Sequence, residues 1–191
     1  LANAPGVELV ALYGPEHGVR GDIHAGDKVS DEVDPKTGVP VYSLYGKTRK
    51  PTPEMLKDVD AIVYDIQDNG CRSFTFISTL GLLMEAAAEN GKEVIVLDRP
   101  NPLGGNKVEG NLVEAGNFSF VSQFEIPYLY GLTVGELAKM LNEEGMLKGE
   151  KGTNDTIVKC NLTVVPMEGW SRDMVYTDTK LPWVLPSPHM P

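Results

Sequence analysis

The apolar positions of this chain come in short unbroken runs, each stopped by glycine, proline or an acid. Residues 7–13, VELVALY, predict a buried strand that ends at the breaker pair Gly14-Pro15. Residues 59–66, VDAIVYDI, and 93–98, EVIVLD, predict two more. Residues 157–166 alternate and then run apolar, which predicts a fourth. Between them the spacing becomes helical. Leu80, Leu83 and Ala87 mark a helix reaching about Asn90 and closed by Gly91. Thr133 and Glu136 form a capping box that opens a helix through Leu137, Met140 and Leu141 to Gly145. Thr52-Pro53-Glu54 predicts a short helix over 53–58, with a capping hydroxyl and proline at the first position.

Residues 20–50 show no sustained period and carry Gly21, Gly26, Pro35, Gly38, Pro40 and Gly46. They predict a long excursion with one short strand near Pro40–Leu44, and excursions of this length are usually functional or lid-like. The tail from Lys180 holds Pro182, Pro186, Pro188 and Pro191 and is expected to be extended. Strand and helix alternate, which argues for an α/β domain with a largely parallel sheet.

The chain of 191 residues fits one domain, and 41% hydrophobic with 23% charged residues is a globular balance. Lys and Arg total 17 against 27 acids, a net charge of −10, so nucleic acid is not an expected partner. Two cysteines, Cys71 and Cys160, make no disulfide framework and no zinc spacing. No run of 18 apolar residues predicts a membrane span.

In open α/β sheets ligands bind beyond the carboxyl ends of the strands. Each confident strand here ends in acids. Glu16 and His17 follow the first, Asp65, Gln67 and Asp68 the second, and Asp98, Arg99 and Asn101 the third. In PEHG (15–18) the closing glycine lets the backbone turn and expose Glu16 beside His17. A glutamate in a partly desolvated cleft suits a general acid, and His17 could titrate or donate. Paired carboxylates suit glycoside hydrolysis, and equally a hard cation. His17 and His24 stand seven apart without a third ligand in register, and no HExxH occurs, so no metal site is assigned. Arg72 and Arg99 each follow an acid cluster and could clamp an anionic group, or simply pair with a neighbouring Asp. GxSxG, P-loop and GxGxxG patterns are absent.

The motifs in order are PEHG at 15–18, AGDKV at 25–29 and DPKTGVPVYSLYG at 34–46, then PTPEML at 51–56, DIQDNGCR at 65–72 and VLDRPNPLGG at 96–105. GLTVGELA at 131–138, GW at 169–170 and PWVLPSPHMP at 182–191 complete the set. Together they resemble the YbbC/NamZ family of exo-β-N-acetylmuramidases, glycoside hydrolase family 171, over essentially the whole chain.

The resemblance implies a Rossmann-like open sheet with helices on both faces, spanning 1–179 without its first strand. A proline-rich segment, 180–191, would lead to a C-terminal domain that completes the cleft. It implies an exo-acting, extracytoplasmic glycosidase that needs no organic cofactor and releases N-acetylmuramic acid from peptidoglycan fragments. Glu16 would be the leading catalytic carboxylate, with Asp65 and Asp68 as candidates for the second group. His17, Arg72, Asp98, Arg99 and Asn101 would bind substrate, the arginines meeting the lactyl carboxylate. The chain departs from the family pattern at Phe74 and Phe76, where tyrosines are usual, at Leu129, where an arginine often stands, and at His189, usually asparagine. Rival readings are a non-catalytic glycan-binding domain, or a deacetylase or esterase acting on the same glycan.

Overall fold

The computed structural model describes residues 1–27, 30–149, 156–183, 185 and 187. His189, Pro186, Pro188, Pro191 and the Lys28-Val29 end of the AGDKV block lie outside the described residues.

Three of the apolar runs become short strands, whereas of the buried strand expected over 7–13 only Leu12 and Tyr13 are in a strand, and Val7 and Glu8 are exposed. β4 (Ala61–Tyr64), β5 (Glu93–Leu97) and β8 (Asn161–Val165) form a parallel sheet in that order, with Ile62, Val94 and Leu162 in one register row. Parallel neighbours need long crossovers, and two helices supply them. α1 (Phe76–Glu89) joins β4 to β5, and α2 (Val134–Glu143) lies on the path from β5 to β8. The core gathers on the sheet face carrying Ile62, Tyr64, Val94 and Val96, against Leu80, Leu83 and Met84 of α1 and Leu137 and Leu141 of α2. The two helices also touch each other. The open, largely parallel α/β architecture expected from the alternation is therefore present. Among the described residues both α-helices pack on one face, and Val63 and Val165 on the other are exposed. No helix among the described residues is long and apolar enough to cross a membrane.

β1 (Leu12–Gly14) belongs to a second sheet, paired in parallel with β3 (Pro40–Ser43), which pairs antiparallel with β2 (Glu32–Val33). The long excursion thus has structure of its own. Arg20 pairs with Asp34, and Asp34 accepts from the Thr37 amide at 2.9 Å and the Thr37 hydroxyl at 2.6 Å. A two-residue ladder, β6 (Val108–Glu109) with β7 (Leu129–Tyr130), closes the region after β5.

The helix expected over 53–58 is not formed. Those residues make successive turns, with the Leu56 amide reaching Thr52 and Pro53 carbonyls at 3.3 and 3.2 Å. Leu56 is buried, so packing holds the segment without helical continuation. The capping box at α2 forms as expected, with the Glu136 amide donating to Thr133 Oγ1 at 3.2 Å and the Thr133 amide to Glu136 Oε2 at 3.0 Å. Two glycines permit close packing. A Cβ on Gly81 would meet Phe124 at 2.1 Å, and one on Gly135 would meet Val164 at 2.6 Å and Asp98 at 2.7 Å.

Candidate functional site

β1 ends at Gly14, and the chain turns at once through Pro15 to Gly18, where the Gly18 amide donates to the Pro15 carbonyl at 2.9 Å. His17 takes φ 71 in this turn, a left-handed conformation that costs a non-glycine residue about 1–2 kcal/mol. The turn sends Glu16 and His17 to one pocket of about 360 Å³. That volume is at the small end of ligand sites. Ser73, Phe74, Thr75 and Phe76 form one wall, and Tyr45 and Val121 another.

Both oxygens of Glu16 are held. Oε2 accepts from the Thr75 hydroxyl at 2.6 Å and Oε1 from the Gly26 amide at 3.3 Å. Thr75 is the N-cap residue of α1, yet its side chain makes no capping bond. Its hydroxyl serves Glu16 instead. Tyr45 stands beside the same carboxylate. Burial first, then the Glu16 charge and a hydrogen bond to it, raise the Tyr45 phenol above its ordinary range, and Arg49 opposes the rise. Buried His17 donates from Nδ1 to the Ile23 carbonyl at 2.8 Å, and its ring meets Phe76 edge-on at 6.4 Å. A carbonyl only accepts, so Nδ1 carries the proton in this contact.

The other residues singled out from sequence are engaged elsewhere. Asp65 is exposed and binds Arg99, Oδ1 lying 2.7 Å from Nε and 2.6 Å from Nη2. Asp98 accepts from the Thr133 hydroxyl at 2.9 Å and the Gly135 amide at 2.7 Å, so it anchors the positive start of α2. Asn101 is buried between the Leu132 carbonyl and the Leu103 amide, each at 2.9 Å. Arg72 spends Nη1 on the carbonyls of Asn111 and Ile126 at 2.6 and 2.5 Å. Asp68 is buried away from the pocket lining, accepting from the Gly70 amide at 2.8 Å and from the Tyr130 hydroxyl, while its Oδ1 has no partner among the described residues. Burial pushes its carboxyl up to about 7, against the lowering pull of the Gly70 and Asn69 amides.

Of the eight residues, then, only Glu16 and His17 line the pocket. Thr75 and Tyr45 are additions. Thr75 looks in sequence like a helix cap, and Tyr45 like one aromatic of a strand, so neither carried a readable signal.

Comparison with known proteins gives a consistent answer. The model of the family described as exo-β-N-acetylmuramidase NamZ, N-terminal, matches residues 1–191. A Bacillus subtilis (strain 168) protein named peptidoglycan β-N-acetylmuramidase NamZ is 54% identical over 187 residues, which is 98% of this chain and 42% of that protein. A crystal structure of a DUF1343 family protein from Bacteroides fragilis superposes with TM-score 0.88 at 66% identity, covering 100% of this chain and 46% of that one. A second such protein gives 0.74 at 36% identity over 88% of this chain and 42% of the other. The chain spans less than half the length of these relatives. Over all of its residues, it belongs to the NamZ family of exo-β-N-acetylmuramidases, matching the N-terminal part of that family.

Proposed function

We propose that this chain carries the acid of an exo-acting β-N-acetylmuramidase: Glu16, in its protonated form, gives its proton to the glycosidic oxygen as the aglycone leaves, and water then attacks the anomeric carbon and releases N-acetylmuramic acid. The observation that carries the reading is the hold on Glu16. A carboxyl group fixed by the Thr75 hydroxyl and the Gly26 amide in a pocket lined by aromatic rings is positioned, once protonated, to give its proton to one bound atom. The relative named peptidoglycan β-N-acetylmuramidase supports the substrate class. Phe74 and Phe76 offer apolar surface to a sugar face, and His17 Nε2 is left over for a hydrogen bond to a hydroxyl.

Among the residues found to line the pocket, Glu16 is the sole carboxylate. A 2-acetamido sugar brings its own internal nucleophile, so one protein acid is sufficient for retaining cleavage. Asp68 ties the turn at Gly70 to Tyr130, and Asp65 with Arg99 forms a strut at the ends of two neighbouring strands. The remainder of a full-length family member closes the cleft over this pocket. The substrate is wall-derived, so the protein works outside the cytoplasm, which fractionation of cells would check.

The test is Glu16→Gln in the full-length protein, assayed with a chromogenic muramide. Release of muramic acid is expected to fall by at least about a thousandfold, with the melting temperature unchanged. Turnover near the wild-type rate would remove Glu16 from the mechanism.

A further inference from the structure

We infer that Arg49 is the residue that selects an acidic sugar at this site, by binding the carboxylate of the lactyl ether. The inference rests on the muramidase reading for the identity of that sugar, and on the geometry around Arg49 for the assignment.

The chain has five arginines. Four have polar partners. Arg20 pairs with Asp34, Arg72 donates to two carbonyls, Arg99 pairs with Asp65, and Arg172 pairs with Glu136 and donates to the Gly105 carbonyl. Arg49 alone has no carboxylate or carbonyl partner among the described residues, although the chain carries a net charge of −10. Its guanidinium lies over two rings instead, 4.0 Å from the Phe120 centroid and 5.2 Å from that of Tyr45. Stacking of this kind fixes the plane of the group and leaves its edge N–H donors unused.

The stack stands at the pocket. Tyr45 lines it and interacts with both Glu16 and Arg49, and Val121, next to Phe120, lines it too. The backbone at Arg49 is fixed from both sides. The Thr48 hydroxyl donates to the Lys50 carbonyl at 2.6 Å, and Lys50 Nζ binds Glu89 at 2.7 Å near the end of α1. A pre-oriented planar cation, unpaired among the described residues and one ring away from the catalytic acid, matches a carboxylate on the same sugar. Arg72 and Arg99, the arginines that sequence suggested for this role, are already engaged.

The experiment compares calorimetric binding of N-acetylmuramic acid and of its methyl ester to the full-length protein, for wild type and Arg49→Met. Wild type is expected to prefer the acid. The variant is expected to bind the acid about tenfold or more weakly and the ester within about twofold of wild type, a control for intact folding. In turnover of the muramide, KM rises and kcat holds. Arg49→Gln is read in the same way and covers a methionine variant that fails to fold. A wild type without preference for the acid, or variants that keep the preference, would overturn the assignment even if the muramide is hydrolysed. An Arg49-dependent preference in a protein that never turns over would keep the assignment and sink the hydrolase reading.

Discussion

Replacing Asp68 by asparagine isolates one buried charge. Asp68 is buried with one oxygen bonded to the Gly70 amide and Tyr130 hydroxyl and the other without a partner among the described residues. Its carboxyl moves from 3.8 to about 7 because burial penalises the charged form. The folded state therefore holds its proton over a range in which the unfolded chain has released it. Stability falls as pH rises wherever the folded state binds more protons. The loss begins near 4, runs to about 7 and is complete above that. Holding the proton up to about 7 rather than 3.8 corresponds to roughly 4 kcal/mol. Asparagine keeps an acceptor for Gly70 and Tyr130 and never ionises. It also buries an amide nitrogen without a partner, a cost of about 1–3 kcal/mol, but that cost does not change with pH. The assay is urea unfolding of wild type and Asp68→Asn at intervals from pH 4 to pH 8. Across that range wild type should lose roughly 4 kcal/mol relative to the variant. A constant difference, or one in which wild type gains as pH rises, would refute the argument that an unpaired buried carboxylate sets the trend.

Two further substitutions probe the site and its support. Thr75→Val removes the hydroxyl that holds Glu16 without removing a helix cap, so kcat should drop about tenfold to a hundredfold at nearly unchanged melting temperature; a drop in melting temperature with kcat intact would contradict it. Gly81→Ala pushes a methyl into Phe124 and should cost about 1–3 kcal/mol, read by chemical denaturation, and an unchanged midpoint would show that Phe124 moves aside freely.

The regular elements were legible where local chemistry was sufficient. The capping box of Thr133 and Glu136 and the apolar spacing of Leu80, Leu83 and Ala87 placed α2 and α1, because caps and helix faces are decided within a few residues. Thr52-Pro53-Glu54 misled because a start signal needs a following amphipathic stretch, and Leu56 is pulled into the core by tertiary packing. Of the acids at strand ends, only Glu16 lines the pocket. Sequence position could not say which of them faces a pocket. Asp98 satisfies the start of α2 and Asp65 a neighbouring arginine, both choices made by residues more than 30 positions away. Thr75 and Glu16, 59 apart, meet only in the fold.

Helix α1 clasps both ends of the excursion between β1 and β4. Its first turn grips Glu16 through Thr75, and its last turn grips Lys50 through Glu89. Fourteen residues at 1.5 Å each make it a ruler about 20 Å long. The two kinds of length change in this region are therefore unequal. Extra residues at the exposed turn 35–38, away from Gly26 and its hold on Glu16, would lengthen a loop whose closure cost grows only slowly. One turn added to the helix would move its far clamp by about 5 Å and pull the acid and its flanking arginine out of step. Length variation tolerated by this domain belongs in the loop and not in the helix.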